Sequence, residues 1–172
     1  MKKILLILLA IIPTIAMAQT LPFDTMKSYE GQLIKYKDIR IEPVKLAITP
    51  YIIVANVRYS YDENKYYFCL QQTKDKFTHT ETISYQTLIE LNKVIKILIE
   101  QSQSELSSDD LIRNYYQSTD GFIVGYEVQG GEIRWYIDFC DKTYNDKKFI
   151  LSGHQIAAVF AIAQKKIEEL TK

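Results

Sequence analysis

The chain has 172 residues, with 21 basic and 21 acidic side chains and therefore no net charge. A nucleic-acid-binding domain normally has a basic face that displaces counterions from phosphate, and the lysines of this chain are interspersed with acids along almost every segment. We therefore expect no nucleic-acid partner. The six glycines are scattered, so no phosphate-binding loop is indicated either.

The first 18 residues have the pattern of a secretory signal peptide. Lys2 and Lys3 precede an unbroken apolar run from Ile4 to Ile12, and Ala16-Met17-Ala18 supplies the small-x-small pattern that signal peptidase recognises. We expect cleavage after Ala18 and a periplasmic or secreted location. Because the apolar run is too short for a permanent transmembrane helix, no stable membrane insertion is expected after cleavage.

An internal repeat is the strongest pattern in the remainder of the chain. Lys65-Tyr66-Tyr67-Phe68-Cys69-Leu70 aligns with Arg134-Trp135-Tyr136-Ile137-Asp138-Phe139 at a spacing of 69, and Ile83-Ser84 aligns with Leu151-Ser152 at a spacing of 68. Two matches in the same order indicate a duplication. We predict one domain over residues 19–172, with copy one at about 32–101, a linker at 102–120 and copy two at about 121–172.

Copy one begins with extended segments. Residues 32–48 contain two or three short alternating runs interrupted by Pro43, which predicts strands at a sheet edge. Residues 51–61 and 65–72 are rich in β-branched and aromatic residues, with Asp62-Glu63-Asn64 between them, and predict a hairpin. A third strand is predicted over 77–83. A helix then begins at Ser84 as its N-cap and ends near Gln101.

The linker is polar at first, and Ser107-Ser108 before two acids predicts a short helix through about Tyr116. It is too short to hold the leading strands of copy one, so we expect copy two to be truncated. Copy two then has a hairpin over 121–140 with Gly130-Gly131 at its turn, a short strand over 147–151, and a helix whose Ser152 N-cap forms a capping pattern with Gln155.

Each predicted helix has one apolar stripe. The stripes are Leu88, Leu91, Ile95 and Leu98 in the first helix, and Ile156, Phe160, Ala163, Ile167 and Leu170 in the second. An amphipathic helix of this length is stable only when its stripe is covered, so we expect each helix to lie on the sheet of its own copy. The predicted fold is α+β, a tandem strand-strand-strand-helix duplication that forms antiparallel sheets with the helices packed on one sheet face.

The opposite sheet face is the candidate binding surface. Alternation places long polar and aromatic side chains there, from one strand in each copy: Lys65, Tyr67, Gln71, Arg134, Tyr136 and Asp138. Such side chains suit contact with a protein or a sugar. The sequence is equally consistent with a solvated face, or with one that packs the two copies together, since antiparallel sheets commonly expose one side.

The two cysteines, Cys69 and Cys140, fall on this same type of face. An exported protein enters an oxidising compartment, so a disulfide between them is one expectation. If the two copies lie far apart, both thiols stay free. The spacing alone leaves both alternatives open.

No catalytic motif, metal site or cofactor is predicted. His154 with Cys140 or Asp138 is the nearest approach to a hydrolytic group, but no third residue is present to orient it. His79 and Glu81 share a side of one strand, yet a closed metal site needs about four ligands. The leading hypothesis is an exported non-enzymatic binding protein that contacts another protein in the envelope or outside, such as an inhibitor or immunity protein. The alternatives are a small hydrolase using these groups and a glycan or small-molecule binder, and the oligomeric state is not indicated.

Overall fold

The architecture consists of two sheets and two helices. The structure is a computed structural model that describes residues 34–45, 52–74, 77–107, 110–139 and 147–172. The predicted signal peptide, residues 1–18, lies outside the described residues, as does Cys140. The elements in chain order are β1 (Tyr36–Lys45), β2 (Ile52–Ser60), β3 (Lys65–Lys74), β4 (Phe77–Ser84), α1 (Tyr85–Ser104), β5 (Ile112–Gln117), β6 (Ile123–Gln129), β7 (Glu132–Asp138), β8 (Lys148–Ile150) and α2 (Gly153–Leu170).

Both sheets have the same topology. The first has the strand order β1-β2-β3-β4, the second has the order β5-β6-β7-β8, and all their pairings are antiparallel. A helix follows each sheet in the chain. The two matched sequence segments lie in β3 and β7, which are the third strands of their sheets. The α+β fold with a repeated order of strands and helix is therefore confirmed.

Copy two is not truncated. The residues predicted to form a short helix ending near Tyr116 instead contain strand β5, which pairs with β6 along its whole length. Partly buried Ile112, Asn114 and Tyr116 alternate with exposed residues, which is the period of a strand. The helix prediction was wrong because it was based on the acidic residues before this segment. It did not take account of the alternation of partly buried and exposed residues within the segment. The predicted linker thus contains a strand, and each copy has four.

Turn residues fix both central hairpins. Gly130 and Gly131 connect β6 to β7 with φ of 58° and 79°, a conformation that glycine adopts without strain. Between β2 and β3, Asn64 has φ of 53°, and asparagine tolerates this region better than most residues. Both predicted hairpins are confirmed. Of the extended runs predicted over 32–48, residues 36–45 form the edge strand β1, whose register shifts between Arg40 and Pro43, and residues 32, 33 and 46–48 lie outside the described residues.

Each helix begins at the predicted cap. The Ser84 hydroxyl accepts a hydrogen bond from the Thr87 amide at 3.1 Å, and the Ser152 hydroxyl accepts one from the Gln155 amide at 3.2 Å. These bonds satisfy amides that have no partner inside the helix. The two copies therefore use equivalent serines for the same purpose.

We expect Ser152→Ala and Ser84→Ala each to lower the free energy of unfolding by about 1 kcal/mol, because each leaves a helix amide without its acceptor. Urea denaturation measures this change. Ser104→Ala is the matched control, since the Ser104 hydroxyl donates to the Gln101 carbonyl at the exposed end of α1 and caps no helix N-terminus. A loss in the control as large as in the cap variants would contradict the capping role.

The helix stripes are buried as predicted, but α2 does not cover the sheet of its own copy. The four stripe residues of α1 are buried, as are Ile156, Phe160, Ala163 and Ile167 of α2. Helix α2 packs mainly against β1, β2 and β3 of the first sheet, whereas α1 contacts β5 and β6 of the second sheet as well as β3 and β4. The prediction that each helix lies on the sheet of its own copy was therefore wrong for α2, whereas α1 contacts its own sheet and the second sheet as well. A periodic stripe defines the apolar side of a helix and not its partner.

Helix α2 begins at the second sheet and extends from there onto the first sheet. Gly153 lies so close to the ring of Trp135 that an added Cβ would be 2.6 Å from it, so the helix starts against the second sheet. Farther along α2, Asn92 of α1 donates hydrogen bonds to the Phe160 carbonyl at 3.2 Å and to Gln164 at 2.9 Å. The helices are antiparallel, since Tyr85 at the start of α1 bonds to Glu168 near the end of α2.

One hydrophobic core joins both sheets and both helices. Phe160 of α2 contacts Phe68 of the first sheet edge to face, with ring centroids 5.7 Å apart. The same ring lies 6.4 Å from Phe122, which precedes β6. All three side chains are at most 1% exposed. In the part of the chain that the structure describes, no helix is both long and apolar enough to cross a bilayer.

Candidate binding sites

The structure divides the six predicted binding residues between the two sheets. Lys65, Tyr67 and Gln71 lie on β3, and Arg134, Tyr136 and Asp138 lie on β7. In each strand these residues alternate with buried core residues such as Phe68 and Ile137, so they lie on the face away from the helices. The three residues of β3 and the three residues of β7 therefore have different neighbours.

The outer face of the second sheet contains a buried carboxylate contacted by three cations. The Glu127 side chain is 6% exposed and accepts bonds from Arg113 Nε at 3.2 Å and Arg134 Nη2 at 3.4 Å. The Lys147 ammonium forms a third, shorter contact with Glu127 Oε1. We call Arg113, Glu127, Arg134 and Lys147 the Glu127 cluster. Strand pairing aligns Arg113, Glu127 and Arg134 across three adjacent strands.

The charge of the cluster is positive. Burial alone would raise the pKa of Glu127, but its hydrogen bonds and charge interactions with Lys147 and Arg113 hold that pKa below its ordinary value. The carboxylate is therefore ionised at neutral pH. One negative charge faces three positive charges, which leaves two positive charges unbalanced within the cluster.

Tyr136 lies beside the cluster and is covered by it. The side chain is 3% exposed, with the Lys147 ammonium 4.5 Å from its ring centroid and the Phe149 ring at 6.2 Å. Burial, followed by the charge of Glu127, raises the pKa of Tyr136 to about 12. Asp138 is also buried, at 9% exposure. Tyr136 and Asp138 therefore support this face from within, while Arg134 is available at its surface.

The exposed part of this face includes residues that the sequence analysis missed. Tyr115 is 54% exposed, and the side chains of Arg113 and Arg134 are 56% and 42% exposed. Arg113 and Tyr115 were missed because their segment was assigned to a linker. The alternation in β5 was the signal that would have placed them on a strand.

A second site lies at the turn end of the first sheet. A groove of about 580 Å³ opens there between the β2–β3 hairpin, the start of α1 and the end of α2. We call it the tyrosine groove, because Tyr59, Tyr66, Tyr67 and Tyr85 all line it together with Asn64 and Lys65. The predicted binding residues Lys65 and Tyr67 therefore belong to one site.

Hydrogen bonds hold three of these rings in place. The Tyr59 hydroxyl donates to Asn64 Oδ1 at 2.5 Å, and the Tyr85 hydroxyl donates to Glu168 at 3.0 Å. The Tyr67 hydroxyl forms a short bond to Glu63. Each hydroxyl is bonded to a residue of the β2–β3 turn or of α2. These bonds fix the orientations of the three rings.

Gln71 lies outside the groove, next to Cys69. Gln71 accepts a hydrogen bond from the Asn56 side chain at 2.7 Å and contacts the Thr80 hydroxyl at 3.5 Å. Cys69 is fully buried on this face, and burial raises the pKa of its thiol. Since Cys140 lies outside the described residues, the Cys69–Cys140 disulfide stays a prediction.

The two histidines occupy different environments. His154 is exposed in the first turn of α2, and among the described residues no hydrogen bond joins it to Asp138. His79 stacks on Phe139 at 5.2 Å and lies 4.0 Å from Glu81. Within the described ranges, no group of three or more His, Cys, Asp or Glu residues is placed to hold a metal ion.

No protein-family model and no curated protein gives a significant match to this sequence. A family assignment therefore does not constrain the function. The function is inferred below from the chemistry of the Glu127 cluster and the tyrosine groove.

Proposed function

We propose that this protein is an exported, non-enzymatic binding protein that recognises another protein through the outer face of its second sheet. Arg113, Tyr115 and Arg134 form the contact surface. The partner presents acidic side chains to it. An envelope inhibitor or an immunity protein is the functional class that such a surface suits.

The observation that supports this proposal is the fixed, exposed pair of arginines beside Tyr115. Arginine and tyrosine are the residue types most enriched among energetically dominant interface residues. Glu127 restrains both guanidinium groups from beneath, at 3.2 and 3.4 Å, so less conformational entropy is lost when a partner binds. Tyr115 adds a large apolar ring with a polar tip on the same strand as Arg113.

Charge identifies the type of partner. The Glu127 cluster has three cations and one carboxylate, so an approaching acidic group meets a local positive charge. Complementary charge accelerates encounter and excludes partners with the wrong sign. We therefore expect association with the partner to be faster at low ionic strength than at high ionic strength.

A double variant tests the surface. Tyr115→Ala/Arg134→Gln removes the aromatic ring and one guanidinium group but adds no charge that would repel Glu127. Tyr61→Ala/Lys93→Gln is the matched control, since it truncates an exposed tyrosine at the β2–β3 turn and an exposed lysine on α1. Each purified protein is cross-linked to the native envelope fraction, and binding to the isolated partner is then measured by calorimetry.

We expect the wild type and the control to capture the same acidic partner, and the face variant to bind it at least about tenfold more weakly. Thermal unfolding verifies that all three proteins are folded. Equal binding by the face variant would contradict the proposed surface. Hydrolysis of a cell-wall or peptide substrate by the wild type, with loss of that activity in His154→Ala, would instead support the hydrolase alternative.

One experiment tests both the predicted export and the predicted disulfide. We expect mass spectrometry of the protein recovered from the periplasm or medium to show an N-terminus at Gln19. Alkylation with and without reductant then distinguishes a Cys69–Cys140 bond from two free thiols. An intact residue 1–18 segment on the recovered protein would contradict the predicted cleavage.

A further inference from the structure

The tyrosine groove is separate from the surface of the second sheet and differs from it in chemistry. It combines the rings of Tyr59, Tyr66 and Tyr85 with the Asn64 amide and the Lys65 ammonium. Its volume of about 580 Å³ lies within the usual range for small-ligand sites. The groove lies at the turn end of the first sheet, which contains neither the Glu127 cluster nor Tyr115.

The rings are arranged as amphipathic surfaces. Tyr59 and Tyr66 are cross-strand neighbours on the helix side of the sheet, with ring centroids 4.8 Å apart, and Tyr85 adds a ring from the helix start. Tyr67 only borders the groove, since alternation turns its side chain to the opposite face of the sheet. The hydroxyls of Tyr59 and Tyr85 already donate to fixed acceptors, so their oxygen lone pairs remain to accept hydrogen bonds from a ligand. A ligand here would meet flat apolar faces edged by acceptors.

The polar residues that line the groove further restrict the chemical class of the ligand. Among the described residues that line the groove, Lys65 supplies a positive charge and none is a carboxylate. The carboxylates nearest to the groove, those of Glu63 and Glu168, already accept hydrogen bonds from the Tyr67 and Tyr85 hydroxyls. The Asn64 amide and the Lys65 ammonium are instead donors that suit hydroxyl or carboxylate groups.

We propose that the tyrosine groove binds a carbohydrate, with pyranose rings stacked on the tyrosine rings and ring hydroxyls bonded to the groove edge. A pyranose has an apolar C–H face and a rim of hydroxyl groups, which matches the alternation of ring faces and polar atoms in this groove. Lys65 contacts a hydroxyl of a neutral sugar or the carboxylate of an acidic one. This site is independent of the proposed protein-binding surface.

The test uses the full mature protein and defined oligosaccharides. Chitotetraose and cellotetraose serve as neutral probes, and a tetragalacturonate serves as the acidic probe. Binding is measured by calorimetry, and NMR shift changes locate the site on the protein. We expect at least one probe to bind, with the largest shift changes at Tyr59, Tyr66 and Tyr85.

Two variants define the expected result. Tyr59→Ala should weaken binding by up to about tenfold by removing a stacking face from the groove. Lys65→Gln tests the groove without removing a ring, since Lys65 is exposed and its replacement should leave the fold intact. It should weaken the tetragalacturonate more than the neutral probes. Tyr115→Ala, on the other sheet, should leave binding unchanged.

Several outcomes would overturn the proposal. The first is that none of the three probes binds to the folded wild-type protein. The second is that a probe binds with shift changes away from the groove, or binds the folded Lys65→Gln and Tyr59→Ala variants as tightly as the wild type. Weakening by Tyr115→Ala would place the sugar on the second sheet and would contradict the groove as its site.

Discussion

Phe160→Ala is expected to lower the free energy of unfolding by about 3 to 5 kcal/mol, the largest effect of any single change considered for this protein. The ring is 1% exposed and touches the rings of both Phe68 and Phe122. Its removal leaves a cavity where α2 meets the first sheet and the start of β6. Because small domains are stable by only about 5 to 15 kcal/mol, urea denaturation should show a large shift.

Ile162→Ala is the matched control, since Ile162 is 43% exposed on the same helix. Its effect should be within about 0.5 kcal/mol of zero. A double-mutant cycle of Phe160→Ala with Phe68→Ala then tests the crossing of α2 to the first sheet. We expect a coupling energy of about 0.5 to 3 kcal/mol, as for residues in contact. Additive effects would contradict the crossed arrangement.

This crossing shows where prediction of the fold from sequence ends. Local patterns were sufficient to predict the helix caps at Ser84 and Ser152, the Gly130-Gly131 turn and the buried stripes, because each depends on neighbours in the chain. The partner of α2 depends on contacts between distant residues, such as Phe160 with Phe68, and periodicity does not contain that information. Strand β5 was missed for a different reason, since its assignment used the acids that precede it and not the alternation of its own residues.

The same difference between local patterns and contacts of distant residues applies to the candidate sites. Alternation correctly placed Lys65, Tyr67, Arg134 and Tyr136 on the faces away from the helices. It did not show that Tyr136 is covered, because burial there comes from Lys147 and Phe149 in other segments. The tyrosine groove likewise requires Tyr85 of α1 to meet the β2–β3 hairpin, a juxtaposition that only the folded chain creates.

Glu127→Gln is expected to lower the free energy of unfolding by about 2 to 3 kcal/mol at neutral pH, as for hydrogen bonds to charged groups. The amide keeps the shape of the side chain but removes the negative charge from beneath Arg113, Arg134 and Lys147. The three cations are partly exposed, at 34% to 56%, so they can turn toward water, which keeps the loss below that of a fully buried ion pair. Glu169→Gln, in an exposed pair with Lys166, is the control and should change stability by less than about 1 kcal/mol.

The pH dependence of this difference gives a second test of the cluster. The pKa of Glu127 is lower in the folded protein than its ordinary value of 4.5. The unfolded chain therefore takes up the proton first as the pH falls, so the stability from the ionised carboxylate is fully present above about pH 4.5 and is lost as the pH falls through the folded pKa. We expect the stability gap between the wild type and Glu127→Gln to be constant from pH 7 to about pH 5 and to shrink below that. If the difference in free energy of unfolding stayed constant down to pH 3, the ionised carboxylate of Glu127 would not stabilise the folded protein through the three cations on this face.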